Sequence, residues 1–242
     1  MKIIYKLLFL FLLTIGYSSC DFLDIVPDEI TTEADAFKDR NAAKNFVYSC
    51  YGYLPQSNVA SGSLDLLTGD EVITAFEHET FASFPKGNYT ASSPVISYWN
   101  TFFQGLRQCY IFLENVDKVP DLTESVKTDY IAQVKFLIAY YHYQLARCYG
   151  PIILIKELPD VNASQAEYLP RTSYDECVDW ICNLLDEAAS SLPAIRTNKE
   201  DYGLATSVGA KAVKAKMLLY AASPLFNGNS SFYSNFTDKS GS

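Results

Sequence analysis

Apolar positions fall into one run near the start of the chain, interrupted only by Thr14, and five helix-period stripes after it. The first stripe, Ala43, Phe46, Val47, Cys50, Tyr51 and Leu54, recurs at intervals of three and four and predicts a helix over Glu33–Leu54. Thr32 is its expected cap, with Asp35 three residues on, and Pro55 its stop. The second helix is expected from Ser93-Pro94, a capping residue followed by proline at the first helical position, to near Pro120. Its stripe is Trp99, Phe102, Phe103, Leu106, Tyr110 and Leu113. The third runs from Thr123 to Tyr149 with Tyr130, Val134, Leu137, Ile138, Tyr141, Leu145 and Cys148 on one face, and Gly150-Pro151 stops it. The fourth opens on the capping box Ser173…Glu176, carries Val178, Ile181, Leu185, Ala188 and Leu192, and stops at Pro193. The fifth, Thr206 to Ala222, places Ala210, Val213, Met217, Tyr220 and Ala221 together, and Pro224 and Gly228 follow it.

Helices joined by short turns pack as antiparallel pairs. The pattern therefore predicts an all-α domain over residues 32–226, followed by a polar tail, 227–242. The third and fifth helices share Ala and Leu spaced before a terminal Tyr, as tetratricopeptide (TPR) hairpins do. Their spacing is not a regular 34 residues, so the helices are TPR-like and not an array. Two interruptions stand out. Pro151–Lys156 is short and β-branched and reads as extended. Gln56–Ser92 is a long polar insertion, with a short helix or strand expected near Leu64–Leu67 and Asp70–Phe76, and loops of that length often carry function.

The opening run has the shape of a secretory signal over residues 1–19. Lys2 and Lys6 give a positive start, Leu7–Ile15 an apolar middle and Gly16–Ser19 small and polar residues. The run is too short to span a bilayer, which takes ~20 apolar residues. Directly after Ser18-Ser19, Cys20 sits where a lipoprotein signal is cut and the cysteine acylated. Tyr17 replaces the aliphatic residue usual in such a lipobox. Asp21, Asp24, Asp28 and Glu29 follow, so residues 20–31 read as a solvated tether from a lipid anchor.

Composition narrows the function. The 242-residue chain is 49% hydrophobic and carries a formal charge of −9, which fits a folded domain and disfavours nucleic acid and anionic headgroups. It holds 18 Tyr and 15 Phe, amphipathic contact residues suited to a core or to a sugar-binding surface. Beyond Cys20, five cysteines remain, Cys50, Cys109, Cys148, Cys177 and Cys182. An odd number without C-x-x-C spacing reads as buried apolar side chains, with neither a disulfide framework nor a metal site. The two histidines, His78 and His142, form no metal motif, and His142 lies beside the stripe of the third helix as an interior or interface side chain. No nucleophile elbow, phosphate loop or dinucleotide fingerprint occurs, no pair of carboxylates stands out as glycosidase machinery, and no cofactor is implied.

Several segments resemble, in order, those of the SusD/RagB family of outer-membrane nutrient-binding lipoproteins. They are Cys20-Asp-Phe-Leu-Asp with Pro27; Trp99-Asn-Thr-Phe-Phe-Gln-Gly-Leu-Arg; Phe136-Leu-Ile-Ala-Tyr-Tyr-His-Tyr-Gln-Leu-Ala-Arg-Cys-Tyr-Gly-Pro; Pro170-Arg-Thr-Ser-Tyr-Asp-Glu; and Ala210-Lys-Ala-Val-Lys-Ala-Lys-Met-Leu-Leu-Tyr. Two positions depart from the family pattern. Lys135-Phe136 stand for Arg-Ala, and Pro151 directly follows Gly150. Members are about twice this length, so the chain resembles their N-terminal half. The resemblance implies a non-catalytic, surface-exposed lipoprotein of the outer membrane. It would capture oligosaccharides and pass them to a SusC-type TonB-dependent transporter, which its TPR-like helices face. The other reading is a TPR-like helical adaptor that binds protein partners only. The segment Leu66-Leu-Thr-Gly-Asp-Glu-Val resembles family sequence near the ligand surface, so Asp70 and Glu71 are expected to accept hydroxyl hydrogen bonds. Trp99 or Tyr89 would stack on the sugar ring, although Trp99, as a stripe residue, is more often core.

Overall fold

The computed structural model describes residues 33–55, 75–76, 82–160, 162 and 169–234. The chain divides into two compact units, Met1–Ala36 and Phe37–Ser242. The described part of the first contains one helical turn, α1 (Glu33–Ala36). The second contains α2 (Arg40–Tyr51), α3 (Ser83–Lys86), α4 (Trp99–Asn115), α5 (Glu124–Tyr149), α6 (Tyr174–Ser191), α7 (Ser207–Ala221) and α8 (Ser230–Tyr233). Single 3-10 turns form at Val116–Lys118 and Lys199–Asp201. Among the described residues no strand forms, only an isolated bridge between Thr90 and Ser93. The fold is all-α, as the stripes require.

Within the second unit each long helix packs on the next, α4 on α5, α5 on α6 and α6 on α7, and α2 packs on both α4 and α5. Helix α5 sits at the centre. It buries Val134, Leu137, Ile138, Tyr141 and Leu145 of the expected stripe, leaves Tyr130 and Cys148 half-buried, and also buries Ala132, Ala139, His142, Tyr143 and Ala146 on other faces. A helix surrounded by neighbours is apolar all round, so its one-sided stripe understates its burial. Against it lie Phe102, Leu106, Cys109 and Phe112 of α4 and Cys177, Ile181, Leu185 and Ala188 of α6. Gly105 allows α4 to come close. A Cβ there would stand 3.0 Å from Tyr53 Cβ and 3.1 Å from Tyr141 Cε2. Cys50, Cys109, Cys177 and Cys182 are free and buried, as small apolar side chains.

Two helix starts differ from expectation. The helix predicted over Glu33–Leu54 is broken between α1 and α2. Asp39 adopts an extended conformation, and its carboxylate accepts the N–H groups of Asn41 and Ala42, each at 2.8 Å. A short acidic side chain that captures the next N–H groups caps a new helix in place of continuing the old one. The proposed cap Thr32 lies outside the described residues. The second helix begins at Trp99, not at Ser93-Pro94. Ser93 is held in a turn, where its N–H donates to the Thr90 carbonyl at 3.1 Å and to Thr90 Oγ1 at 3.0 Å. The remaining starts stand where expected. Thr123, Ser173 and Thr206 are N-caps, and Ser173 Oγ accepts the Glu176 N–H.

Candidate functional site

The start of α4 has no side-chain cap of its own. Its cap comes from the far end of α5, where the Tyr149 hydroxyl accepts the N–H groups of Tyr98 and Trp99 at 3.1 and 3.2 Å. The same tyrosine fixes the neighbouring indole, because the Trp99 and Tyr149 rings meet edge to face at 5.2 Å. Phe103, one turn on, packs against Trp99 at 4.9 Å. Helical spacing thus puts two aromatic rings in register, and an interhelical hydrogen bond sets their position.

The opposing wall is the extended segment after α5. Ile152 and Leu154 turn inward and are buried. The Ile155 N–H donates to His142 Nε2 at 3.1 Å, and the Ile155 carbonyl accepts the Tyr110 hydroxyl at 2.6 Å. His142 Nδ1 lies 2.8 Å from the Ile138 carbonyl, so the ring is the neutral tautomer with a proton on Nδ1. Complete burial holds its pKa down at about 4. His142 is therefore the interior side chain expected, and it clamps the wall to α5. Between this wall and α4 runs a groove of about 950 Å³, lined among others by Trp99, Phe103, Arg107, Leu158, Asp160 and Leu169.

Arg107 lines it, and Arg171, which does not, packs against its Trp99 wall. Arg107 donates from α4 to the Pro159 carbonyl at 3.1 Å. Arg171 donates to the carbonyls of Tyr149 and Pro151 at 3.2 and 3.0 Å, and its guanidinium carbon sits 5.1 Å from the Trp99 ring centroid. Trp99 is neither of the extremes expected. It is half-buried on the groove wall, with a cation over its ring. An indole fixed in this way offers a rigid apolar edge to the groove. The periodicity of α4 marked the aromatics. Arg171 was not assigned a role from sequence, because a charged residue in an irregular segment carries no periodic signal.

Of the other expected site residues, only Tyr89 is described, and it does not line this groove. Tyr89 is half-exposed and packs on Phe84 at 5.3 Å, in a cluster separate from that of Trp99. Asp70, Glu71 and Cys20 lie outside the described residues. A second cavity of about 720 Å³ lies among α2, the start of α5 and the α6–α7 connection, lined by Tyr48, Tyr130, Asp129 and Arg196 among others. Its frame is a polar network. Arg196 grips both Asp129 oxygens at 2.8 and 2.9 Å and the Ala205 carbonyl, and Gln133 donates to Asp129 at 2.8 Å. The Tyr51 hydroxyl donates to Gln133 Oε1 at 3.0 Å and accepts the Ala205 N–H at 2.9 Å, and burial raises its pKa. Among the described residues no cluster of three or more His, Cys, Asp or Glu could hold a metal ion, and no helix is long and apolar enough to cross a membrane.

A SusD-like family model, described as "Starch-binding associating with outer membrane", matches residues 21–219. The chain belongs to the SusD-like family. Among its relatives, SusD-like protein P25 of Formosa agariphila is 23% identical over 230 residues, which cover 90% of this chain and 43% of that protein. The solved structure of BT4246 is 36% identical with a TM-score of 0.75, covering 82% of this chain and 34% of that one. A SusD-like protein from Bacteroides fragilis is 27% identical with a TM-score of 0.64, over 80% of this chain and 37% of its own. This SusD-like chain thus spans less than half the length of each of these relatives.

Proposed function

We propose that this SusD-like chain is a non-catalytic glycan-binding lipoprotein of the cell surface, anchored in the outer membrane through Cys20. It captures oligosaccharides and delivers them to a SusC-type TonB-dependent transporter. The observation that carries this reading is the family match over residues 21–219, with its starch-binding, outer-membrane description. A structural neighbour with 22% identity and a TM-score of 0.63 is itself a laminarin-binding SusD-like protein, which supports a shared fold. In this chain the Trp99 groove supplies an aromatic wall and the Arg107 guanidinium. Asp70 and Glu71, from the polar insertion, supply carboxylate acceptors, and Tyr89 is a further stacking surface. Neutral sugars need both elements, an apolar face for the ring and planar polar groups for the hydroxyls.

Affinity electrophoresis through gels loaded with a panel of neutral α- and β-glucans tests this. Wild type should be retarded by at least one glycan, and Asp70→Ala should lose several-fold of that retention with its helical spectrum unchanged. Migration unaffected by every glycan would reject the capture role. Full retention by Asp70→Ala would remove that carboxylate from the site.

A further inference from the structure

The odd cysteine count pointed away from disulfides, but the fold brings two cysteines together. Gly105 lets α4 approach the end of α2 closely, since a Cβ there would stand 3.0 Å from Tyr53 Cβ. Gln108, three residues further along α4, donates to Ser49 Oγ at 3.0 Å, so the two segments run antiparallel. The next pair in this register is Cys109 and Cys50. Both are completely buried, and their thiols hydrogen-bond to each other. From α5, the Tyr141 hydroxyl donates to the Cys50 carbonyl and fixes that turn of α2.

The remaining buried thiols are placed differently. Cys177 faces the Ile152 and Thr172 carbonyls, and Cys182, five residues on along α6, lies on another face of that helix. The Cys50–Cys109 contact is interior, so it does not depend on what packs against the outside of this unit. The family to which the chain belongs is described as associating with the outer membrane, and disulfides form and persist outside the cytoplasm. A bridge between these positions would enclose residues 51–108, which contain the whole polar insertion 56–92. Cross-links over long loops restrict the unfolded chain most.

We propose that Cys50 and Cys109 are a modification site, joining in a disulfide that staples α2 to α4 and closes residues 51–108 into a covalent loop. In this structure both are thiols. The oxidant is a disulfide, either of glutathione or of a dithiol carrier protein. One cysteine thiolate attacks it, forms a mixed disulfide and releases the first thiol. The second cysteine then attacks the chain's own sulfur in that mixed disulfide and releases the second. The pair loses two protons and two electrons, and the reduced oxidant carries both as thiols. The bond forms during folding. Burial, followed by the hydrogen bond to Cys50, holds the Cys109 thiol well above its usual pKa, so little thiolate remains once the core closes. The inference does not depend on the glycan-binding reading.

The test refolds the reduced full chain from urea in a buffer of reduced and oxidised glutathione, then quenches it with acid and alkylates it in denaturant. Peptide mass spectrometry should find Cys50 linked to Cys109, with Cys20, Cys148, Cys177 and Cys182 alkylated. Reducing the refolded protein should lower its urea midpoint by about 1 M. Oxidised and reduced wild type share one sequence, so this comparison does not rest on how a variant folds. A Cys50→Ala/Cys109→Ala variant should show no shift on reduction. Alkylation of both Cys50 and Cys109 without prior reduction overturns the proposal. So does a bridge from either of them to another cysteine, or a midpoint that is the same for oxidised and reduced wild type.

Discussion

Mild acid should destabilise this protein through one side chain. His142 is fully buried, with Nδ1 toward the Ile138 carbonyl and Nε2 accepting from Ile155, and it titrates near pH 4 in place of 6.5. The folded state therefore keeps a neutral ring where the unfolded chain binds a proton. Because the folded pKa is the lower one, the stability is fully present above pH 6.5. It falls as the pH drops from 6.5 towards 4, and this side chain adds no further loss below that. The slope is about 1.4 kcal/mol per pH unit, and the whole shift corresponds to about 3 kcal/mol, a large share of a typical domain's stability. A proton added to Nε2 would also face the Ile155 N–H and release the groove wall. Urea unfolding midpoints from pH 7.5 to 4.5, compared between wild type and His142→Gln, measure this. Wild type should lose stability steeply below pH 6.5. The variant, weaker at neutral pH, should show a slope shallower by about one proton. Parallel pH profiles for the two proteins would refute the reasoning.

Three further outcomes are expected. Gly105→Ala should lower stability by about 1–3 kcal/mol in denaturant titrations, because its methyl group must enter the 3.0 Å approach to Tyr53. Arg196→Ala strands the partly buried Asp129 carboxylate and frees the Ala205 carbonyl. It should cost about 3 kcal/mol or more and expose the α6–α7 connection to proteolysis. Cys20→Ala should move the protein from the membrane fraction to the soluble fraction of the native host, and unchanged membrane partitioning would exclude lipidation at that residue.

How much was legible in the sequence follows from the kind of signal each feature leaves. The stripes and the caps Thr123, Ser173 and Thr206 placed α5, α6 and α7 to within a residue or two, since periodicity and capping are local properties. Asp39 was missed as a cap because it lies inside an amphipathic pattern, and nothing local says that its carboxylate will take the Asn41 and Ala42 N–H groups. Ser93-Pro94 misled for the opposite reason. The local signal was correct for a helix start, but Thr90 holds Ser93 in a turn and Tyr149, 50 residues on, caps the helix at Trp99. The aromatic wall of the groove was visible as part of a stripe. The clamp through His142 and the position of Arg171 depend on α5 and the extended segment meeting, which is set by tertiary packing.

Isothermal titration of the folded chain with the most strongly retained oligosaccharide tests the central claim most directly. A few hydroxyl hydrogen bonds and one aromatic contact, less the cost of ordering the sugar, predict saturable binding with a Kd on the order of 0.1–1 mM. Trp99→Ala, with its circular dichroism spectrum retained, should weaken that binding by roughly tenfold. Heats no greater than dilution for every neutral glycan, from a protein shown to be folded, would contradict the account.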